Sequence, residues 1–242
     1  MATITGCHLV GSVPLPDTEE VFKQCTKGMP GRLKRIPDGE TGNRHYFTYF
    51  QAFIFQAVPQ MMPKFTDNAE MVHREFSEQE VDDGVEQLKK AGLETGYDTA
   101  ALESYATFKK SKDEGTMPQD IKFQVCLPTP ANVIGPFVER AFQAEVYPIY
   151  EEALYRAMRN IQDKIPHEHL AIQIDLAVDT AFWEGVYLKP WFDQANKKEF
   201  ILDYITRMLG QIDQDVDVGF HNCYGRQHMC IFSTPLNVTD HF

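Results

Sequence analysis

The stretch VGFHNCYG at residues 218–225 carries two side chains whose types and spacing suit metal chemistry. His221 and Cys223 stand two residues apart at the end of an apolar run, and imidazole and thiolate are both common zinc ligands. Because zinc sites use three or four protein ligands, this pair alone is an incomplete set. His228 and Cys230 could complete it only if the chain doubled back within a few residues. The sequence thus predicts a partial zinc site and indicates no other cofactor.

Short apolar runs that alternate with segments of helical period must position these residues. The runs predict five strands, at about residues 4–11, 32–39, 121–128, 170–177 and 216–223. The other segments predict helices at 17–29, 77–93 and 197–212, and a helix pair over 135–166 that is interrupted at Pro148. Two helix starts carry capping signals, Asp17 in the first helix and Ser77 with Glu80 in the second.

This alternation predicts an α/β fold with parallel strand pairing through right-handed crossovers. We expect a TIM-barrel-like parallel sheet with outer helices, in a single incomplete (β/α) barrel domain over residues 1–242 that is truncated after about five barrel strands. An open doubly wound sheet is the alternative, but GSVPLP rather than a glycine-rich nucleotide loop follows the first strand. Both edges of such a sheet would lack partners, and we expect a homodimer to cover them.

Polar residues follow the predicted strands at their carboxyl ends. In a parallel barrel these ends form one mouth, and side chains there converge on one pocket. The residues are Gly11 and Ser12 after the first strand, Asp38, Glu40 and Arg44 after the second, Asn132 after the third, Asp175 on the fourth, and His221, Cys223 and Tyr224 on the fifth. The candidates for general acids and bases are Asp38, Glu40, Asp175, His221 and Tyr224. We expect Arg44 and Asn132 to bind substrate.

Two of these positions also have simpler interpretations. The run DGETG at 38–42 could form only a turn, since Asp-Gly and Thr-Gly are turn-forming pairs. A turn does not require Glu40 and Arg44 as well, which favours a functional interpretation. Asp175 follows a nearly unbroken apolar run, so it either emerges at the mouth or is buried against a polar partner.

Four short segments occur in a fixed order at the predicted strand ends: GSVP (11–14), DGE (38–40), IQID (172–175) and HNCY (221–224). This set resembles the catalytic domain of cobalamin-independent methionine synthase. It resembles more closely the methionine-synthase-like proteins of the uroporphyrinogen decarboxylase/methionine synthase barrel superfamily. The resemblance runs from about residue 4 to residue 225. It implies a transferase that moves an alkyl (methyl) group to or from a thiol.

The resemblance also implies roles for single residues. It assigns binding of an amino-acid thiol substrate to Gly11, Ser12, Glu40 and Asp175, and zinc binding to His221 and Cys223. In the family, a further carboxylate and a second cysteine from later strands complete the zinc site. The sequence after the fifth predicted strand is too short for three more strands, so we expect methionine synthesis itself to be absent.

Two other functions remain open. Without a metal, the same acids and bases would suit a lyase, isomerase or cyclase. A non-catalytic descendant would be a binding or scaffold protein, with the aromatic run YFTYFQAFIF at 46–55 as its partner surface.

The composition indicates which kinds of partner and which cellular compartment to expect. The net charge is −12, from 35 acidic and 23 basic residues, so the average field repels nucleic acid. The most apolar stretch, 46–63, contains Thr48, Gln51 and Pro59 and is too short and too polar to span a membrane. No signal peptide is evident, and five widely spread cysteines fit a reducing compartment. We therefore expect a cytoplasmic protein that binds a small-molecule substrate and neither nucleic acid nor membrane.

Overall fold

Four parallel strands in chain order form the central sheet. The computed structural model describes residues 5–46, 48–64, 72, 74–186 and 190–223. The strands are β1 (Arg35–Pro37), β2 (Lys122–Pro128), β3 (Leu170–Leu176) and β4 (Asp217–Asn222). Each pairs in parallel with the next along the chain, in the order β1-β2-β3-β4. The α/β fold with a parallel sheet is confirmed, whereas closure into a barrel stays a prediction because the described sheet is open.

Helices connect the strands and cover one face of the sheet. In the described part of the chain they are α1 (Thr18–Gly28), α2 (Glu78–Ala91), α3 (Tyr97–Asp113), α4 (Ala131–Phe137), α5 (Arg140–Lys164), α6 (Val178–Glu184) and α7 (Lys197–Leu209). Shorter 3-10 helices lie at Gly42–Arg44, Tyr49–Phe55, Pro59–Met61, His167–His169 and Gln194–Asn196. None of the described helices combines the length and the apolar character needed to cross a bilayer.

Capping interactions begin α1 and α2 where the sequence predicts them. The Asp17 side chain accepts a hydrogen bond from the Glu20 backbone N–H at 2.9 Å. At the start of α2, Ser77 and Glu80 exchange side-chain and backbone hydrogen bonds in a complete capping box. Each cap satisfies backbone donors that the first helical turn leaves free, which is why these residue types set the helix start.

The predicted break at Pro148 is wrong, because α5 runs without interruption from Arg140 to Lys164. A proline inside a helix removes one hydrogen bond and costs about 3 kcal/mol. Buried side chains flank it on both sides, with Tyr147 6% exposed and Tyr150 fully buried. Burying these large side chains offsets the local cost and keeps the helix continuous.

The first predicted strand, 4–11, is reduced to a single bridge. Cys7 pairs in parallel with Leu33, next to β1, and its backbone N–H donates to Arg32 O at 2.8 Å. The following carbonyl groups bind side chains instead of a neighbouring strand. Leu9 O accepts from Gln124 Nε2 at 2.9 Å, and Val10 O accepts from Gln173 Nε2 at 2.7 Å. Over the described residues, four strands therefore form where the sequence predicts five.

The two faces of the sheet differ in character. One face is apolar and packs against α1 and α3, where the Phe123 ring meets Phe22 and Phe108. Alternation along the strands and their register place a line of polar side chains on the opposite face: Gln124, Cys126, Gln173, Asp175 and His221. This line leads toward the carboxyl ends of β3 and β4.

The outer edge of β4 has no partner strand among the described residues. Val218 and Phe220 on this strand are 44% and 49% exposed. The homodimer expected to cover the open sheet edges stays a prediction.

Candidate functional site

A tight turn after β1 presents Glu40. The Glu40 backbone N–H donates to Asp38 Oδ1 at 3.0 Å, as is typical of an aspartate that starts a turn. Gly39 has a φ of 85°, and a Cβ atom there would lie 2.5 Å from Val21 Cγ2. Only glycine fits that position without strain. Glu40 itself has a φ of 50°, in the left-handed region that few residues other than glycine adopt.

The Asp38 carboxylate is buried and fully engaged. It forms an ion pair with Arg44 and accepts a hydrogen bond from Ser104 Oγ at 2.8 Å. Asp38 is 6% exposed. These contacts tie the turn after β1 to α3, so Asp38 and Arg44 act here to position Glu40. Their predicted roles in catalysis and substrate binding stay predictions.

The two segments GSVP and DGE meet at the Glu40 side chain. Ser12 Oγ donates a hydrogen bond to Glu40 Oε2. A Cβ atom on Gly11, whose φ is 142°, would lie 3.2 Å from Glu40 Oε1. The pKa of Glu40 is raised to about 7, mainly by burial. The negative charges of Asp175 and Asp38 also raise it, whereas the hydrogen bond from Ser12 lowers it.

Asp175 and His221 form a pair at the carboxyl ends of β3 and β4. Asp175 Oδ1 lies 3.0 Å from His221 Nδ1 and accepts from Gln173 Nε2 at 2.8 Å. Asp175 is 3% exposed, and this burial raises its pKa in spite of both hydrogen bonds. The hydrogen bond that His221 donates to Asp175 in turn raises the pKa of His221. Two predicted site residues that are far apart in the sequence are thus joined by a direct hydrogen bond.

Glu40, Cys126 and Asp175 converge on one point. One carboxylate oxygen of each acid and Cys126 Sγ all lie within 4.8 Å of one another. Such a group could hold a metal ion, although three ligands are an incomplete set for a closed site. Cys126 is not among the residues that sequence reasoning selects. Its position on β2, beside Gln173 in the register, is what brings it to Asp175.

The predicted zinc pair, His221 and Cys223, is placed differently. His221 points to Asp175, while the Cys223 backbone N–H donates to Leu176 O at 2.9 Å just beyond β4. Within the described ranges, neither belongs to a group of three potential ligands as close as the Glu40 group. Tyr224 lies outside the described residues.

Asn132 lies behind the site in a buried hydrogen-bond network. Its amide nitrogen is 2.9 Å from Asp175 O, 2.8 Å from Asp179 Oδ2 and 2.8 Å from Thr129 Oγ1. Its oxygen accepts from the Val178 backbone N–H at 2.7 Å. With Asn132 only 1% exposed, these contacts suit a residue that supports the ends of β2 and β3.

Arg44 lines both an inner cavity and an outer cleft. The cavity has a volume of about 10 Å³, enough for one water molecule, and is also lined by Glu40, Tyr97 and Cys126. The cleft, of about 410 Å³, lies between the start of α1 and α3 and includes Ser104. Asp38 lines the cavity and Ser104 lines the cleft, and their hydrogen bond joins residues of the two spaces.

The raised pKa of Glu40 predicts a pH-dependent effect of Glu40→Gln. A carboxyl group with a pKa of about 7 in the folded state and an ordinary value when unfolded favours folding in its protonated form. Ionisation therefore lowers wild-type stability progressively as the pH rises from about 4.5 to about 7. We expect Glu40→Gln to match the wild type at pH 4.5 and to exceed it at pH 8 by on the order of 1–3 kcal/mol.

Urea unfolding of both proteins across this pH range measures the difference. Glu103, an exposed glutamate on α3, serves as the matched control when it is changed to Gln. A difference between Glu40→Gln and wild type that is constant with pH would contradict the prediction.

Comparisons with known proteins identify no relative of this chain. No model of a known protein family matches it, and neither a curated protein nor a solved structure does.

Proposed function

We propose that the protein is an enzyme that acts on a small molecule carrying a primary amine, and that Glu40 and Asp175 bind the protonated amine. The observation that carries the proposal is the approach of these two carboxylates to within 4.8 Å at the carboxyl ends of parallel strands. An ammonium group has three donors and a positive charge, which two facing carboxylates satisfy together. Among the described residues, neither acid forms an ion pair with a lysine or arginine.

His221 would move the proton in this enzyme. Asp175 contacts Nδ1 of the imidazole, which leaves Nε2 without a hydrogen-bond partner among the described residues. A carboxylate at Nδ1 favours the tautomer whose Nε2 accepts a proton. The reaction class that this arrangement suits is acid/base chemistry on the bound amine, as in a lyase, isomerase or cyclase.

The resemblance to methionine-synthase-like proteins is compatible with this proposal. It implies the same role for Glu40 and Asp175 and a barrel around them. We propose accordingly that the open sheet is part of a (β/α) barrel. The support for this is that β1 to β4 lie side by side in chain order with helices between them, as successive barrel strands do.

Zinc-assisted alkyl transfer is the second candidate, with His221 and Cys223 as ligands. It is favoured by the contact between Asp175 and His221 Nδ1, because zinc-bound histidines commonly donate their second ring nitrogen to a carboxylate. If this second candidate is right, tag-free protein contains stoichiometric zinc that is lost in Cys223→Ser. Zinc retained in that variant would contradict the assignment.

The amine proposal predicts ligand-induced stabilisation that depends on Asp175. A panel of amino acids, amino thiols and simple amines is screened by thermal shift. A ligand at 100 times its dissociation constant adds about 2.7 kcal/mol, which raises the Tm of a chain of this size by roughly 5–10 °C. We expect at least one amine to do so in the wild type and to fail in Asp175→Asn.

Two controls define the outcome of this screen. The exposed Asp203, changed to Asn, should leave the shift unchanged. The N-acetylated form of an active amine should have no effect, since it lacks the positive charge. A panel without any active amine, or an N-acetylated compound that stabilises equally well, would refute the proposal.

A further inference from the structure

Two carboxyl groups and one thiol face one another on the polar side of the sheet. No described lysine or arginine forms an ion pair with them. Glu40 follows β1, Cys126 lies on β2 and Asp175 lies on β3, so three neighbouring strands contribute one group each. Their ligand atoms lie within 4.8 Å of one another. The guanidinium group of Arg44, which lines the same cavity as Glu40 and Cys126, forms its ion pair with Asp38 instead.

Free acceptor oxygens remain in this cluster. Ser12 donates to Glu40 Oε2, and His221 and Gln173 contact Asp175 Oδ1. Glu40 Oε1 and Asp175 Oδ2 accept no hydrogen bond from any described residue. Asp175 is 3% exposed, so its carboxylate lies inside the protein rather than on its surface. A bound cation would use the two free oxygens as ligands.

The spacing and the outer contacts fit coordination. Ligand atoms bound to one tetrahedral zinc ion at about 2.0–2.3 Å are roughly 3.3–3.8 Å apart. Because the three atoms already lie within 4.8 Å of one another, side-chain shifts of about 1 Å or less would bring them to that separation. Ser12 and Gln173 each hold one carboxylate from outside, as the outer hydrogen bonds of metal sites do.

We propose that Glu40, Cys126 and Asp175 form a binding site for a thiophilic divalent metal ion such as zinc, with an open fourth position. A thiolate selects zinc over magnesium or calcium, which prefer oxygen ligands. Binding forms a metal–sulfur bond at Cys126 Sγ and releases the thiol proton to solvent. The site is separate from the His221 and Cys223 pair. It shares two residues with the proposed amine site, so metal and amine exclude each other.

Zinc titration of tag-free, chelator-treated protein by calorimetry tests the site. We expect one zinc ion per chain in the wild type, at least about tenfold weaker binding in Cys126→Ser, and unchanged binding in Cys223→Ser. Cobalt(II) supplies a signature that a change of stability would not produce. A thiolate-to-cobalt charge-transfer band should appear in the wild type and in Cys223→Ser, and should be absent in Cys126→Ser.

Three results would overturn the metal site. They are a wild type without saturable zinc binding, a Cys126→Ser variant that binds as the wild type does, and loss of binding in Cys223→Ser alone. Circular dichroism of Cys126→Ser checks that it folds. If Cys126→Ser does not fold, the test rests on the other two proteins. The metal site then requires that both the wild type and Cys223→Ser show the cobalt band.

Different experimental results would refute the metal proposal and the amine proposal. Cys126→Ser should keep the amine-induced thermal shift, because the thiol is not required to bind an ammonium group. Zinc should reduce that shift in the wild type. Without any active amine, the zinc titration still tests the metal site by itself.

Discussion

Replacing Phe123 by alanine is expected to lower the free energy of unfolding by about 3–5 kcal/mol. Phe123 lies at the centre of the apolar face of the sheet and is 1% exposed. Its ring centroid is 5.5 Å from that of Phe108, 6.0 Å from that of Tyr105 and 6.3 Å from that of Phe22. Alanine would leave a cavity between β2 and two helices that close packing cannot fill. Urea unfolding followed by circular dichroism measures the loss.

A second phenylalanine supplies the control. Phe53 is 51% exposed, and Phe53→Ala should cost less than about 1 kcal/mol. Equal losses for the two variants would show that the face packed by Phe123 is not the core of this protein. Phe123 also lines the small cavity beside Glu40, so its removal should enlarge that cavity.

Replacing Asp179 by alanine is expected to cost a similar amount, about 3–5 kcal/mol, because it removes the acceptor of a buried network. Asp179 is 2% exposed and accepts hydrogen bonds from Tyr204, from Thr129 at 2.7 Å and from Asn132 at 2.8 Å. Burial raises the pKa of Asp179, and these hydrogen bonds oppose that rise. Without the carboxylate, three buried donors each lose one acceptor, and Tyr204 and Thr129 lose the one described for their hydroxyl groups.

Two milder substitutions distinguish the loss of the buried hydrogen-bond network from the general effect of changing a residue in a helix. Tyr204→Phe removes one donor and should cost about 0.5–1.5 kcal/mol. Asp203→Ala, on the exposed side of α7, removes only a surface ion pair with Arg207 and should cost less than about 1 kcal/mol. The same urea series measures all three variants. A loss for Asp179→Ala no larger than that for Asp203→Ala would contradict a structural role of the network.

Much of the fold follows from signals that act over a few residues. Strands β2 and β3 lie within one residue of their predicted bounds, since unbroken apolar runs identify buried parallel strands. The capping residues at Asp17 and Ser77 predict where α1 and α2 begin, because the cap forms within one turn. Helix α3 is not predicted, since its buried positions include Ser104 and Lys112 and dilute the apolar pattern.

The deviations come from contacts between distant parts of the chain. Residues after Cys7 have the pattern of a strand, but their carbonyl groups find donors in Gln124 and Gln173, more than 100 positions away. Nothing local predicts those bonds. Pro148 has a strong local cost that tertiary packing of α5 overrides.

The site residues also divide into those that local sequence signals predict and one that these signals miss. Glu40, Asp175 and His221 are each indicated by a polar residue at a strand end, and the structure brings them together with Gly11 and Ser12. Cys126 is missed because it lies inside a strand rather than at its end. A signal for it exists in the alternation of β2, where Cys126 stands between apolar residues and must face the same side as Gln124.

The agreement between strand order and chain order has a consequence for biosynthesis. Each strand of the sheet needs only a neighbour that the ribosome has already released, so the sheet can grow by one strand and its helix at a time. No early segment has to wait, exposed, for a late one to close a gap in the middle of the sheet. Among the described strands, Asp175 lies on β3 and His221 on β4, so their hydrogen bond can form only after β4 has joined the sheet.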